Sequence, residues 1–268
     1  MKTKIIITNI ALALILGVFY TGCDKSKDEI IDTDTSSAND NSTSENAFSD
    51  IFKSVSGISD SDAGLRTANC ETITIDTTVG STTGGFPKTV TIDYSACSNK
   101  KGKIKAIFTG RWRSSGTTIT IIADSNYHFG LNKVNCGTHI ILNRGIISGH
   151  KTYDVNVTGA LITTPGGGIS WSSTRTISWI AGDSTLDTQD DVYSITGQTT
   201  GTSAKGVTFT AAITSPLIIA MNCPWIESGV ISLTPKNKKT RTIDFGTAGT
   251  CDNKATATFN GKTYDVTM

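Results

Sequence analysis

The segment Lys88–Phe108 (KTVTIDYSACSNKKGKIKAIF) is the part of the chain that most clearly indicates the fold. In Thr89–Ile92, β-branched apolar residues alternate with threonines, and Lys103–Phe108 places its lysines on one face and most of its apolar residues on the other. A period of two is typical of strands that bury one face. The segment therefore predicts two half-buried β-strands.

Similar runs recur through the rest of the chain. They lie near residues 72–75, 117–124, 137–142, 152–161, 169–180, 192–197, 206–214, 225–233, 240–245 and 254–268, and turn residues such as Pro165–Gly168 and Asn260-Gly261 separate them. About a dozen short strands with close turns predict an all-β body over residues 65–268, an antiparallel meander. The spacing does not choose between a sandwich and a barrel-like body.

One short stretch has helical periodicity instead. In AFSDIFKSVSGI (47–58), Phe48, Ile51, Phe52 and Val55 fall on one helical face, which predicts a short helix over residues 47–60. Residues 23–46, by contrast, are rich in Asp, Ser, Thr and Asn, and such a segment buries too little apolar surface to offset its ordering entropy. It is predicted to be a flexible, disordered tether.

The N-terminal residues 1–22 have the pattern of an export signal. Lys2 and Lys4 precede the mostly apolar run Ile5–Tyr20, and small residues then precede Cys23. The pattern resembles the lipobox of bacterial lipoproteins, except that Tyr20 stands where that family usually has Leu. The resemblance implies fatty acylation of Cys23 and attachment to the outer membrane, facing the periplasm or the cell surface. An ordinary cleaved signal and a single-pass anchor are the alternatives.

Two parts of the body resemble each other, which gives a cysteine prediction. TIDYSAC (91–97) has a counterpart in TIDF (242–245) followed by Cys251, and an Asn-Cys pair precedes each copy, so residues 69–113 and 222–268 are candidate repeat units. The midpoint between the cysteines of each unit falls in a loop, so each pair lies across the open end of its own hairpin, within disulfide range. We predict the disulfides Cys70–Cys97 and Cys223–Cys251, with Cys136 free and buried. Reduced core cysteines are the alternative.

Two clusters are metal candidates, although we assign no metal or cofactor. His128, His139 and His150 are spaced by eleven residues, and three histidines are a known zinc set, but a one-residue shift at either turn would separate their faces. The acidic loop containing Asp183, Asp187, Asp190 and Asp191 offers oxygen ligands for calcium without the spacing of an EF-hand. A solvated turn is the favoured interpretation of that loop.

Composition and motifs leave the function open. The formal net charge of +1 argues against a nucleic-acid partner. The lysine-rich stripes 100–105 and 236–241 are interpreted as solvent faces, with anionic lipid or polysaccharide as the alternative contact. The four tryptophans, Trp112, Trp171, Trp179 and Trp225, are interpreted as core, with sugar stacking as the alternative. Nucleophile-elbow, P-loop and dinucleotide motifs are absent from the sequence.

Several segments resemble an uncharacterised group of cell-envelope lipoproteins from the Bacteroidota. They are FPKTVTID (86–93), KGKI (101–104), DDVYSITG (190–197), TIDFG (242–246) and CDNKA (251–255). The resemblance implies no catalytic residue. It carries no known activity. Our first hypothesis is a non-enzymatic binding or structural β-module that contacts the membrane through its lipid, with a glycan or another envelope protein as its partner. The alternative is an envelope polysaccharide hydrolase.

Overall fold

The computed structural model describes residues 32–59, 70–76, 85–185 and 187–268. The helix α1 spans Ser36–Ser59. The strands of the described part are β1 (Thr72–Asp76), β2 (Lys88–Asp93), β3 (Lys100–Lys101), β4 (Lys103–Phe108), β5 (Thr118–Ala123), β6 (His128–Phe129), β7 (Asn132–Asn135), β8 (Thr138–Ile147), β9 (His150–Thr164), β10 (Gly167–Ala181), β11 (Val192–Thr202), β12 (Thr208–Ala220), β13 (Ile226–Pro235), β14 (Arg241–Asp244), β15 (Lys254–Phe259) and β16 (Lys262–Thr267). A short 3-10 helix, Thr188–Asp190, lies between β10 and β11.

The strands form one continuous antiparallel sheet, which confirms the all-β prediction. Its order is β1-β2-β4-β5-β8-β9-β10-β11-β12-β13-β14-β15-β16, so each strand pairs with the next long strand along the chain. Strands β3, β6 and β7 form a side branch, in which β3 pairs with β6, β6 with β7 and β7 with β9. The sheet is therefore a meander with one local excursion between β2 and β9.

The alternation predicted from the sequence decides which face of the sheet is inside. One line of paired residues crosses thirteen strands on the outer face, and none of its members is buried: Asp76, Thr89, Ile107, Thr120, Ile140, Asn156, Thr174, Gln198, Ala212, Ser232, Thr242, Thr258 and Thr263. The neighbours of these residues in sequence, such as Ile119, Ile141 and Ile243, point inward and are fully buried. The inner face is therefore apolar and the outer face polar, as strands with a period of two require.

The helix α1 lies inside the curved sheet and supplies part of its core. All four residues of its predicted apolar face are buried. The Phe52 ring lies 5.6 Å from that of Trp112, 6.0 Å from that of Tyr153 and 5.2 Å from that of Tyr193, between centroids. Trp112 lies in the turn between β4 and β5, Tyr153 on β9 and Tyr193 on β11. The helix also contacts Lys100 of β3 and the Cys223 carbonyl after β12, so the sheet curves around it.

The start of the helix differs from the sequence prediction. The helix begins at Ser36, eleven residues before Ala47, so residues 36–46 are helical and largely buried rather than part of a tether. Residues 23–31 of the predicted tether, like Cys23 and the signal segment 1–22, lie outside the described residues.

Specific polar contacts explain why this half of the helix is ordered despite its composition. Asp40 accepts a hydrogen bond from the backbone N–H of Ala204 at 2.7 Å, and Glu45 pairs with Arg175 of β10 in the buried interior. Just before the helix, Asp34 pairs with Lys238 at 2.6 Å. A composition argument counts only apolar burial, so it misses a polar segment whose partners lie elsewhere in the chain.

The two predicted cysteine pairs are confirmed at disulfide distance. The Cα atoms of Cys70 and Cys97 are 5.1 Å apart, those of Cys223 and Cys251 are 5.7 Å apart, and Cys136 is free and buried. The strand register supports the hairpin argument fully only for the second pair. In β13 and β14, Val230 pairs with Asp244, and extending this register places Cys223 opposite Cys251. In β1 and β2, extending the register places Cys70 opposite a residue two positions before Cys97.

Candidate functional site

The three histidines do not come together, so the described structure does not assemble the candidate zinc set. His139 on β8 lies opposite Val157 and is 1% exposed, whereas His128 is on the side branch and His150 begins β9 at an exposed hairpin end. The strand registers put the turns at residues 130–131 and 148–149. For the three histidines to lie side by side on one face, the turns would have to be centred near residues 133–134 and 144–145. In the described ranges, the only group of three metal-ligating side chains contains the bridged Cys70 and Cys97 with Glu71.

The four aspartates of the acidic loop are held by separate partners within the protein. Asp183 pairs with Lys151 at 2.8 Å, and Asp187 caps the 3-10 helix by accepting a hydrogen bond from the Gln189 N–H. Asp190 accepts a hydrogen bond from the Thr185 hydroxyl, and the buried Asp191 accepts one from the Trp179 indole N–H at 3.1 Å. Among the described residues these carboxylates do not form a group that could share one ion, and their contacts are those of a structured turn.

Three of the four tryptophans belong to the core, as the favoured interpretation predicted. Trp112, Trp171 and Trp179 are at most 2% exposed. Trp225 is different because it is only half-buried and lines a cavity. Sequence alone gave no reason to separate it from the others.

The lysine-rich stripes are solvent faces only in part. Lys103 forms an ion pair with Asp93 at 2.8 Å at the surface, but Lys100 pairs with Asp50 of α1 at 2.6 Å. Arg241 is fully buried and pairs with a carboxylate just before α1. Several charges of the two stripes therefore fix the helix inside the sheet.

A cavity beside the helix, the α1 cavity, has a volume of about 780 Å³. It lies along the C-terminal half of α1, between the side branch and the loop Met221–Trp225. Its lining includes Asp50, Lys53, Ser54 and Ile58 from the helix, Cys70 and Glu71 before β1, Tyr94, Asn99 and Lys100, Phe129–Asn132 of the side branch, Met221–Trp225, and Met268 at the end of the chain. Both disulfides border it, through Cys70 and Cys223.

A fixed ion pair and two aromatic rings form one wall of the α1 cavity. The Lys100 Nζ lies 2.6 Å from an Asp50 carboxylate oxygen, 5.0 Å from the centroid of Tyr94 and 5.9 Å from that of Phe129. It also lies 3.4 Å from the hydroxyl of Ser54. Cation–π contacts and a close carboxylate hold this ammonium in one place.

Lys53 contributes a buried amine to the same cavity. Its residue is 6% exposed, and its Nζ donates a hydrogen bond to the backbone carbonyl of Cys223 at 2.6 Å. Burial lowers the pKa of Lys53 to about 8, an effect that the nearby Asp50 and Glu227 oppose and that Lys100 strengthens. At neutral pH the amine is therefore mostly charged, and the nearby carboxylates only partly offset the cost of burying that charge.

The sequence did not single out Asp50 and Lys53 as site residues. In AFSDIFKSV they lie between the residues of the apolar helical face, where charged side chains normally indicate a solvent-exposed surface. Only the enclosure of the helix turns that surface inward. The pattern of the helix itself gave no signal of this.

A second, shallower depression of about 550 Å³ lies on the outer face of β9–β13. Its lining side chains are hydroxyls, amides and small apolar groups, among them Asn156, Thr174, Gln198, Thr200 and Thr210, and none is charged. It has no aromatic lining. The two depressions therefore differ in both charge and shape, which makes the second a useful internal control.

Comparisons with protein-family models, with curated protein sequences and with solved structures found no match to this chain. Among the described residues, no helix combines the length and the apolar character needed to cross a membrane.

Proposed function

We propose that the protein is a lipoprotein of the bacterial outer membrane whose β-body binds a glycan in the α1 cavity without transforming it. The observation that carries the proposal is the combination, in one cavity, of aromatic side chains with fixed charged and amide groups. Ligand sites of this kind are concave, with apolar walls and a few placed polar groups.

The chemistry of the lining suits a sugar. A sugar ring has apolar C–H faces, which pack on flat aromatic rings, and a rim of hydroxyls, which need donors and acceptors. Trp225 and Phe129 offer such rings at half-buried positions. Asp50, Lys100 and Asn99 offer hydrogen-bonding groups beside them.

The membrane attachment in this proposal rests on the sequence of residues 1–23. Acylation at Cys23 with more than one chain would give durable anchoring, because each buried CH₂ contributes about 0.8 kcal/mol and one chain alone binds only marginally. Metabolic labelling with a radioactive or clickable fatty acid tests this step. We expect label on the wild-type protein and none on Cys23→Ser; equal labelling of both would refute the attachment site.

A hydrolase is the second candidate, because two carboxylates, those of Asp50 and Glu71, line the same cavity. Glycoside hydrolysis requires one of the pair to deliver a proton. The Asp50 carboxylate is 7% exposed by residue and lies 2.6 Å from the Lys100 ammonium, an arrangement that suits a fixed charge in a binding site. If a bound oligosaccharide is cleaved by the wild type and not by Asp50→Asn, the hydrolase replaces the binding module.

A glycan array followed by calorimetric titration tests the binding function. We expect at least one oligosaccharide to bind, and Trp225→Ala to weaken it by roughly tenfold or more because a stacked aromatic surface is lost. Thr174→Ala, on the outer depression, is the matched control and should bind as the wild type does. The proposal fails if the folded protein binds no glycan, or if Thr174→Ala weakens binding while Trp225→Ala does not.

A further inference from the structure

We infer that the glycan bound in the α1 cavity carries one monoanionic group, a carboxylate or a sulfate ester, and that this group pairs with the Nζ of Lys53. The inference rests on the proposed function and specifies the class of glycan. It follows from the position of one buried ammonium, the partners it has, and the partners it lacks.

The Lys53 ammonium has donors to spare. An ammonium has three N–H groups, and the structure uses one of them, in the 2.6 Å hydrogen bond to the Cys223 carbonyl. Within the described ranges, no carboxylate lies within 4.0 Å of Lys53 Nζ, although the lysine is more than nine-tenths buried. Lys53 also lines the cavity, so a ligand there is placed to contact it.

The neighbouring charges are already engaged with other groups. Asp50, three residues earlier on α1, pairs with Lys100 of β3 at 2.6 Å. Glu227 of β13 accepts a hydrogen bond from the Gly249 N–H at 3.2 Å and does not line the cavity. Lys53 is therefore the cavity cation that lacks a close counter-ion in the described part of the chain.

A buried charge without a counter-ion is costly, and a ligand anion would remove that cost. Charge-assisted hydrogen bonds contribute about 1.5–3 kcal/mol, which corresponds to roughly 10- to 100-fold in affinity. A neutral sugar in the same position would leave the two remaining N–H groups of Lys53 without an anionic acceptor. The cavity should therefore discriminate between an acidic glycan and its neutral counterpart.

Glu71 sets a limit on the charge of the ligand. It lines the same cavity and would repel a dianion such as a phosphomonoester. The lining holds two cations, Lys53 and Lys100, and two carboxylates, Asp50 and Glu71, so a single negative charge placed at Lys53 meets less repulsion than two charges would. A uronate and a sulfated sugar both meet this condition.

The test compares acidic oligosaccharides from the array with the same molecules after reduction of the carboxyl group or removal of the sulfate. We expect the wild type to prefer the acidic form by roughly 10- to 100-fold, and Lys53→Met to lose that preference while still binding the neutral form. Lys133→Met, an exposed lysine on β7, removes the same charge outside the cavity and should keep the preference. Uronate and sulfate arms show which of the two anions is accepted.

A second measurement on the wild type does not depend on the folding of a variant. Reductive methylation followed by mass spectrometry should modify Lys53 in the free protein and much less in the presence of the acidic glycan, with the neutral form giving little protection. Equal affinity for acidic and neutral forms, or an unchanged preference in Lys53→Met, overturns the inference and leaves glycan binding intact. Absence of binding by every glycan overturns both.

Discussion

His139 gives the most direct test of the interior because its imidazole is buried without a hydrogen-bond partner. The residue is 1% exposed, neither ring nitrogen has a partner in the described structure, and its ring lies 5.6 Å from that of Phe48. Burial lowers the pKa of His139 to about 3, whereas an unfolded histidine has a pKa of about 6.5. The folded state therefore keeps this imidazole neutral under conditions where the unfolded state protonates it.

The sign and the size of the effect on stability follow from this difference in pKa. At pH 7 neither state binds much of the proton, but at pH 5 the unfolded state binds it almost fully. Acidification from pH 7 to pH 5 should therefore lower the free energy of unfolding by about 2 kcal/mol through His139 alone. The stabilising carboxylate of Asp93, whose pKa is lowered to about 2 by its hydrogen bond with Lys103, loses its effect only at lower pH. Asp40, whose pKa is raised by burial, acts in the opposite direction.

Urea unfolding of the wild type and of His139→Leu, at pH 7, 6 and 5 and constant ionic strength, measures the effect. Both proteins contain the same carboxylates, so the difference between their pH profiles isolates the histidine. We expect His139→Leu to be at least as stable as the wild type at pH 7, because two buried nitrogens without partners are removed. An identical loss of stability in both proteins between pH 7 and pH 5 would refute the reasoning.

Three further predictions concern the helix, the ion pair inside the sheet and the cysteine bridges. Ser44→Pro should lower the free energy of unfolding by about 3 kcal/mol or more, because residue 44 lies inside α1 and not in a tether; an unchanged urea midpoint would contradict the helix start at Ser36. Glu45→Gln should cost about 3–5 kcal/mol, since it leaves Arg175 buried without its counter-charge, and the double variant Glu45→Leu/Arg175→Met should recover most of that loss in the same assay. Replacing both Cys223 and Cys251 by Ser should cost about 3–4 kcal/mol by the chain-entropy model for this loop of 28 residues, and unfolding with and without reductant, compared with the wild type, measures it.

Much of the sheet could be predicted from the sequence because its determinants are local. In Lys103–Phe108 the alternation of lysines with apolar residues is visible in six letters, and the structure gives the same two faces. The pairing of Cys223 with Cys251 depends only on the position of one turn, and the register of β13 and β14 places that turn as predicted.

The separation of the three candidate histidines has a related reason. The three had to share a face across three strands, which required two turn positions to be right at once. A hairpin register inverts the face of every residue when it shifts by one position. Neither the turn at residues 130–131 nor that at residues 148–149 falls where the histidine set needed it.

The polar half of α1 illustrates what local sequence cannot supply. Glu45 finds its partner Arg175 at a separation of 130 positions, and Asp34 finds Lys238 at a separation of 204. Each side chain considered alone is typical of a solvated segment. Only the curvature of the sheet brings the partners close enough to offset the cost of burial.

By itself, the sequence determined the period of the strands, the apolar face of the helix and the pairing of Cys223 with Cys251, because each depends on residues a few positions apart or on a single turn. The tertiary structure alone decided where the helix begins, and it brought Asp50, Lys53 and Trp225 into one cavity. The physical reason is that enclosure by the sheet is a property of the whole chain. It changes a charged helix face from a solvated surface into the wall of a binding site.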